Sequence, residues 1–287
     1  MIERIAILGT GLLGTSIGLA LRAAGFGGSI IGWNRSPEGG REALGLHAVD
    51  SLASDALQAA RDSQVVILCV PIYSTLDYME QLSVVLGPDH MVTDVGSTKA
   101  QITAAAGRLF NTPDRAAFLP GHPMAGKERG GASLGDANLF RGAVWLFTDD
   151  PAWQQRSHNS AQLVSSWRGW VQAMGSRVID LDAARHDDLV AWVSHLPQFT
   201  ATALSGLLED HVGDAPELKH VGGRALREMT RLGASPFSMW RDIAHTNTVA
   251  IEAALLALEQ RLAHIRENLR TPELREEFER ANQFRRE

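Results

Sequence analysis

The chain has 287 residues, of which 45% are hydrophobic and 21% charged, so it can build a sizeable core and has room for two domains. Its net charge of -6 argues against a nucleic-acid partner, because nucleic-acid-binding proteins normally present a basic face. The longest apolar runs, such as residues 65–70, are too short to span a bilayer. We expect a cytoplasmic protein with no export signal and no membrane partner, whose single cysteine, Cys69, is a buried strand residue.

A glycine-rich turn follows the first predicted strand. Residues 3–8 form this strand, and residues 15–24 form a predicted helix beyond the turn. In a strand-turn-helix unit of this kind, spaced glycines allow a tight turn, close approach to a pyrophosphate and packing of helix on strand. The pattern also occurs in turns without a function, but its position favours a dinucleotide site. The predicted cofactor-binding residues are Gly9, Gly11, Leu12, Leu13 and Gly14.

The loop after the second predicted strand, residues 29–33, bears on the choice of cofactor. An NAD site usually carries an acidic residue here for the ribose hydroxyls, whereas this chain has Asn34, Arg35 and Ser36. Asn34 and Ser36 can donate hydrogen bonds to a 2′-phosphate, and Arg35 can offset its charge. The alternative is an ordinary surface arginine. We predict NADP as the favoured cofactor and NAD as the second possibility.

Further predicted strands alternate with helical stretches along the first 182 residues. They cover residues 64–70, 91–95, 117–119, 143–147 and 177–180. This alternation predicts an α/β fold, a Rossmann-type doubly wound parallel sheet, in which ligands bind beyond the carboxyl ends of the strands. Five positions directly follow strands and should meet at that edge, namely Gly9, Arg35, Pro71, Ser97 and His122. Val70 and Pro71 complete the predicted cofactor site.

The stretch Gly121-His-Pro-Met-Ala-Gly-Lys-Glu128 is the candidate centre of the chemistry. A histidine between glycine and proline suits neither a helix nor a strand interior, so we expect an exposed, shaped loop. Imidazole titrates near neutrality, so a rigidly placed His122 is a candidate general base. Most loop histidines have no chemical role, and the neighbouring motifs are what favour one here. No metal is predicted.

From about Asp182 onward the pattern becomes helical. We predict an N-terminal domain of residues 1–182 and an all-α substrate and dimerisation domain of residues 183–287, with the active site in the cleft between them. The predicted helical stretches are residues 184–205, 216–231, 236–269 and 272–285. Pro197 predicts a kink in the first. His186 and His195 would lie on opposite sides of a straight helix, so both could line one pocket only if the kink reorients them.

Arg231 and Trp240 lie on either side of a break in the helical pattern near Pro236. Arg231 ends a predicted helix, where its side chain could either cap carbonyl groups or reach a carboxylate.

Taken together, these motifs resemble the prephenate and arogenate dehydrogenase family of tyrosine biosynthesis over nearly the whole chain. The resemblance rests on the glycine turn, on Asp94-Val-Gly-Ser97-Thr-Lys, on residues 121–128, on Ser194-His-Leu-Pro-Gln198, and on Thr230-Arg231 with Met239-Trp240-Arg241-Asp242. It implies a homodimer that carries out NAD(P)-linked oxidative decarboxylation of a small cyclohexadienol.

The resemblance also implies roles for individual residues. His122 would accept the proton of the ring hydroxyl, and Ser97 would hydrogen-bond His122 or that hydroxyl. Arg231 would pair with a substrate carboxylate, and Glu128 would steady the loop or a neighbouring cation. His186 and Trp240 are further substrate-site candidates.

Gln198 departs from the prephenate-using members, which often have a histidine there. A neutral amide can accept a hydrogen bond from the ammonium group of arogenate, so this position favours arogenate over prephenate. Two other functions stay open. One is a β-hydroxyacid dehydrogenase with the same two-domain plan, and the other is a non-catalytic NADP-binding redox sensor.

Overall fold

In the computed structural model, which describes residues 2–149 and 156–286, nine strands form two sheets. The strands are β1 (Arg4–Leu8), β2 (Ser29–Trp33), β3 (Ser51–Leu52), β4 (Val65–Leu68), β5 (Met91–Asp94), β6 (Ala117–Leu119), β7 (Gly121–Pro123), β8 (Val144–Phe147) and β9 (Arg177–Asp180). The first six form a parallel sheet of order β3-β2-β1-β4-β5-β6. This order confirms the predicted Rossmann-type sheet.

Helices connect most of these strands and are the main elements after β9. In the first part they are α1 (Leu12–Ala23), α2 (Pro37–Gly45), α3 (Ala56–Arg61), α4 (Ile72–Val85), α5 (Ala100–Leu109) and α6 (His158–Ala173). After β9 follow α7 (Ala183–Val190), α8 (Leu196–Val212), α9 (Leu218–Val221), α10 (Arg224–Thr230), α11 (Phe237–Thr246), α12 (Thr248–Glu267) and α13 (Glu273–Arg286). The predicted helical C-terminal part is confirmed.

The apolar strands explain why helices cover both faces of the sheet. In β1, Ile5 and Ile7 belong to one buried cluster, whereas Ala6 and Leu8 belong to the other. All four side chains are fully buried. Successive strand residues point to opposite faces, so an uninterrupted apolar strand requires a core on each side. The carboxyl ends of the strands are thereby left as the accessible edge.

The second sheet corrects two predictions. Residues 143–147 and 177–180 do form strands, but β8 and β9 join β7 in a separate sheet instead of extending the parallel one. The predicted exposed loop around His122 is in fact β7, which pairs antiparallel with β8 and sets His122 opposite Leu146. Proline is tolerated in β7 because this is an edge strand. His122 is therefore buried, with 8% of its surface exposed.

The helical part packs against the N-terminal part through apolar side chains. Ile243 of α11 and Ile251 of α12 belong to the same buried cluster as Leu68 and Ile102. The two parts thus share a core beside the carboxyl edge of the sheet. No helix in the described ranges combines the length and apolarity needed to cross a bilayer.

Candidate active site

The glycine turn has the shape that a dinucleotide requires. Gly9 has a φ of 100°, and a side chain there would overlap the carbonyl of Cys69. A side chain at Gly14 would overlap the carbonyl of Gly9, so this glycine allows α1 to approach β1. At Gly11 the space is open, and no side chain caps α1. An open glycine beside uncapped helix N–H groups fits a pyrophosphate.

The neighbouring strand end completes this crevice. A side chain at Gly9 would also overlap Val70, and Pro71 is the N-cap residue of α4. Cys69 lies directly after β4 and is half-buried, which corrects the prediction of a buried strand residue. Burial and the charge of Asp94 raise the pKa of its thiol, which therefore stays protonated at neutral pH.

In the loop after β2, two side chains form hydrogen bonds with the backbone of the same loop and of the helix that follows it. The Asn34 side-chain amide donates to the carbonyl of Ser36 at 3.0 Å, and the Ser36 hydroxyl accepts from the backbone N–H of Gly39. That hydroxyl can still donate its own proton, and Arg35 is exposed. Arg35 lies close enough to Tyr78 for its charge to lower the pKa of the phenol, although burial raises this pKa overall.

A buried ion pair holds the backbone just before His122. The ammonium group of Lys99 contacts a carboxylate oxygen of Asp94 and donates to the carbonyl of Gly121 at 2.8 Å. The other carboxylate oxygen of Asp94 accepts from the backbone N–H of Gly121 at 3.1 Å. Both ionic side chains are fully buried. Breaking such a pair leaves an uncompensated buried charge, so Gly121 and His122 are held rigidly.

The ring of His122 is connected by hydrogen bonds to side chains of the helical part of the chain. Its Nδ1 atom lies 2.9 Å from Nε2 of His186, and Nδ1 of His186 lies 2.8 Å from a carboxylate oxygen of Asp187. Burial lowers the pKa of His122 well below its ordinary value, and the charges of His186, Lys99 and His195 add to the effect. His122 is therefore neutral at neutral pH, as a general base must be.

His186 has a contact with His122 that its prediction as a substrate-site residue did not include. Its side chain is fully buried and both ring nitrogens are engaged. Ser97 is corrected in one respect. The Nδ1 atom of His122 pairs with His186 and not with Ser97, which lies half-buried after β5. A contact between Ser97 and the substrate hydroxyl stays a prediction.

A π-helical turn, Ala191–His195, joins α7 to α8 and accounts for the predicted kink. Relative to an α-helix this turn accommodates one extra residue, which rotates everything beyond it by about 100°. His186 and His195 therefore no longer lie on opposite sides, and both influence the pKa of His122. Pro197 lies in the first turn of α8, where its missing N–H is tolerated.

Gln198 is buried, with 4% of its surface exposed, and its amide has internal partners. The amide nitrogen donates to the carbonyl of Leu232 at 2.8 Å and to the hydroxyl of Thr202 at 3.2 Å. The amide oxygen accepts from the hydroxyl of Ser235 at 3.1 Å. The amide oxygen keeps a second lone pair, so a contact with a substrate ammonium group stays a prediction beside these internal contacts.

Arg231 begins the 3₁₀ segment Arg231–Ala234, and its guanidinium forms an ion pair with Glu128. This pair joins the loop after β7 to the helical part. The Arg231 side chain is 59% exposed, and one contact leaves most of its N–H donors available. Arg231 thus pairs with a carboxylate of the protein, and its contact with a substrate carboxylate stays a prediction.

Trp240 packs edge-on against His195, with ring centroids 5.8 Å apart, and against Phe199 at the same distance. Its indole nitrogen is buried and meets no hydrogen-bond partner within residues 2–149 and 156–286. Trp240 therefore supports the His195 ring, and its direct contact with substrate stays a prediction.

Sequence reasoning missed four residues that shape this site, namely Asp94, Lys99, Asp187 and Asn247. Asn247 donates to the carbonyl of Asp187 at 2.8 Å and lies 3.3 Å from Nδ1 of His195. Lys99 ends the motif that contains Ser97, and a lysine within so apolar a region was the available signal. Asp187 and Asn247 carried none, because their partners are distant in sequence.

Comparison with known proteins agrees with this geometry. A family model described as "Prephenate dehydrogenase, nucleotide-binding domain" matches residues 17–174, and one described as "Prephenate dehydrogenase, dimerization domain" matches residues 182–283. A prephenate dehydrogenase of Lactococcus lactis is 31% identical over 247 residues, which are 85% of this chain and 65% of the relative. The chain thus spans just under two thirds of that relative's length.

Solved structures show the same architecture. The prephenate dehydrogenase from A. aeolicus, in complex with hydroxyphenyl propionate and NAD+, superimposes with a TM-score of 0.83 at 27% identity, covering 100% of this chain and 96% of that one. The Synechocystis arogenate dehydrogenase gives a TM-score of 0.76 at 26% identity, covering 98% of each chain. On these matches, which extend over both parts of the fold, the chain belongs to the prephenate dehydrogenase family.

Proposed function

We propose that the protein catalyses the NAD(P)-dependent oxidative decarboxylation of arogenate, prephenate or both in tyrosine biosynthesis, giving tyrosine or 4-hydroxyphenylpyruvate. The observation that carries this proposal is His122, a buried imidazole with a lowered pKa on the strand that follows the parallel sheet. A neutral base at this position suits the removal of a hydroxyl proton.

A nicotinamide dinucleotide, when bound, supplies the acceptor for a hydride from ring carbon C4. His122 takes the proton of the C4 hydroxyl as that carbon becomes a carbonyl. Loss of the ring carboxylate as carbon dioxide then leaves its electron pair in the ring and gives an aromatic phenolate, which takes the proton back from His122 to form the 4-hydroxyphenyl product. Lys99 and Asp94 hold the backbone of Gly121 and so fix the base in place.

Arg231 is the proposed partner of a substrate carboxylate, with Glu128 as its orienting partner. The ion pair holds the guanidinium at the loop after β7, and its exposed N–H groups suit a second carboxylate. A cationic anchor is needed because the net charge of the chain, -6, would otherwise repel an anionic substrate.

We propose NADP as the preferred cofactor, held by the glycine turn, Val70 and Pro71, with the loop of residues 34–36 facing the adenosine ribose. Arg35 is exposed, and the Ser36 hydroxyl keeps a free proton to donate. Neither side chain would repel a 2′-phosphate. NAD is the alternative.

The proposed assembly is a homodimer formed through the helical part. Exposed apolar side chains on α12 and α13 support it, among them Leu256, Leu262 and Phe278, which are 54%, 55% and 66% exposed. Apolar residues at this density on neighbouring helices are typical of an interface. The domain boundary between residues 182 and 183 also stays a proposal, and Met1, residues 150–155 and Glu287 lie outside the described residues.

The decisive experiment measures formation of reduced nicotinamide with arogenate and with prephenate, each in the presence of NAD and of NADP. Turnover of either substrate supports the proposal. Turnover of β-hydroxyacids alone would favour the alternative dehydrogenase. Cofactor binding without any turnover would favour the redox sensor.

A further inference from the structure

Three side chains form a continuous row of hydrogen bonds that ends at His122. Asp187 contacts Nδ1 of His186 at 2.8 Å, and Nε2 of His186 contacts Nδ1 of His122 at 2.9 Å. His186 is fully buried, Asp187 is 5% exposed, and His122 is 8% exposed. Water therefore has little access to these contacts, and the protein alone sets the proton positions.

The direction of the row is fixed at Asp187. One carboxylate oxygen accepts from the backbone N–H of Lys99 at 2.7 Å and also faces His186. The other accepts from the backbone N–H of Ala100 at 2.8 Å. Both oxygens accept backbone N–H groups at the N-terminus of α5, and this arrangement favours the carboxylate over a carboxyl group that would donate to Nδ1 of His186. Asp187 is thus a carboxylate that can only accept, and Nδ1 of His186 must carry a proton.

The remaining protons follow from this assignment. Burial lowers the pKa of His186, so the ring is neutral and its Nε2 atom has a lone pair. Two lone pairs cannot share a hydrogen bond, so Nδ1 of His122 must carry the proton between the rings. In a neutral imidazole this leaves the lone pair of His122 on Nε2.

We propose that His186 and Asp187 are positioning residues that lock His122 in its Nδ1–H tautomer, so that Nε2 is the atom that accepts the substrate proton. The part that concerns substrate rests on the proposed function. After proton transfer the imidazolium still donates through Nδ1 to His186, and its charge faces the Asp187 carboxylate through that ring.

The row is also anchored to the backbone. Lys99 and Ala100 form the N-terminus of α5, so Asp187 caps a helix of the N-terminal part from a helix of the C-terminal part. Rotation of the carboxylate would break these caps. His186 therefore has a fixed acceptor, and the tautomer does not depend on whether a substrate is bound.

The test reads the tautomer directly by ¹⁵N NMR of the histidine-labelled protein without substrate. His122 signals are assigned through their loss in His122→Asn. We expect both His122 and His186 to carry their protons on Nδ1. A proton on Nε2 of His122 in the wild-type protein would overturn the proposal.

Two variants connect the tautomer to turnover. His186→Phe removes the acceptor, and we expect His122 to lose its Nδ1–H preference while kcat falls about tenfold to a hundredfold, with KM and cofactor affinity nearly unchanged. His186→Gln keeps one acceptor and one donor and should restore most of the loss. His211→Phe, at an exposed helical histidine, is the matched control.

Normal kcat in His186→Phe would contradict the positioning role. If that variant fails to fold, the wild-type tautomer and the His186→Gln protein still decide the matter. The tautomer is independent of catalysis, so an Nδ1–H tautomer in a protein that oxidises neither arogenate nor prephenate would refute the proposed function alone. Turnover by a protein whose His122 carries its proton on Nε2 would refute only the proposed roles of His186 and Asp187.

Discussion

The side-chain amide of Gln198 donates to the carbonyl of Leu232 at 2.8 Å, which ties α8 to the segment that begins with Arg231. The hydroxyl of Ser235, at the far end of that segment, donates to the amide oxygen of Gln198 at 3.1 Å. A residue at the position that suggested substrate recognition is therefore a support for the neighbouring arginine. We expect it to influence substrate binding through this support.

Gln198→Leu should accordingly raise KM by loosening Arg231, with a smaller effect on kcat. The carbonyl of Leu232 would keep the backbone N–H of Ser235 but lose the amide, and the hydroxyl of Ser235 would lose its acceptor, at a cost of about 1–3 kcal/mol in the free energy of unfolding. Steady-state kinetics and urea unfolding measure the two effects. Gln162→Leu, at an exposed amide on α6, is the control. A stability loss with unchanged KM would show that Arg231 does not depend on this contact.

Arg231→Ala should raise KM about tenfold to a hundredfold, because a charge-assisted hydrogen bond to the substrate is worth about 1.5–3 kcal/mol. Arg224→Ala removes an exposed arginine from the adjacent helix, where its partner is Glu228, and should leave KM unchanged. An equal rise in KM for both substitutions would mean that Arg231 contributes only to the overall electrostatic potential and does not pair with the substrate. An earlier thermal transition with normal KM would make it a structural residue.

His122→Asn should lower kcat by roughly 10²–10⁴, the usual contribution of a positioned acid–base group. Cofactor binding should persist, since the glycine turn lies on another loop. The measurement is turnover at saturating substrate, together with fluorescence titration of the cofactor. His158→Asn, at an exposed histidine, controls for the substitution itself. Near-normal turnover would remove His122 from the mechanism.

Arg35→Ala should weaken NADP about tenfold to a hundredfold and leave NAD nearly unaffected, because its guanidinium would face the 2′-phosphate. Asn34→Asp should shift the preference towards NAD. The comparison is kcat/KM for each cofactor, with Arg41→Ala of α2 as an exposed control. An equal loss for both cofactors would indicate that Arg35 only stacks on adenine.

Acid should destabilise the fold through the buried histidines. Burial lowers the pKa of His195 from 6.5 to about 4, so the unfolded chain takes up a proton at this residue before the folded protein does. The resulting stability is complete above about pH 6.5 and is lost as the pH falls towards 4, by up to about 3 kcal/mol. Burial lowers the pKa values of His122 and His186 in the same direction.

Urea unfolding of the wild type and of His195→Gln at about pH 7 and about pH 5 measures this contribution. The stability difference between the two proteins should shrink by about 2 kcal/mol at the lower pH. His158→Gln, at an exposed histidine, should instead follow the wild type at both values. If His195→Gln lost as much stability as the wild type between the two pH values, the acid sensitivity would belong to other groups.

The parallel sheet could be predicted from the sequence because its signals are local. Apolar strands, the glycine turn and the alternation with helices each occupy a few consecutive residues. The second sheet could not be predicted, because β7 is three residues long and is defined by its pairing with β8, more than twenty residues away. The Gly121-His-Pro sequence favours a loop, and tertiary pairing overrides that preference.

At the site, residues on the glycine turn and His122 could be proposed from the sequence because their chemistry is visible in single motifs. The functions of His186 and Gln198 could not be predicted, since each depends on partners far along the chain. Gln198 meets Leu232 and Ser235, and His186 meets His122 only after the chain has folded. A sequence motif gives the type of side chain but not its hydrogen-bond partners.

The π-helical turn at Ala191–His195 makes the length of this helix as important as its composition. Removing a single residue from the turn would restore an α-helix and swing His195 and Gln198 by about 100° away from Asn247 and Leu232. Substitutions inside the turn would leave that register intact. In descendants of this protein, the segment should therefore tolerate exchanges at its exposed positions, Trp192 and Val193, but neither insertions nor deletions.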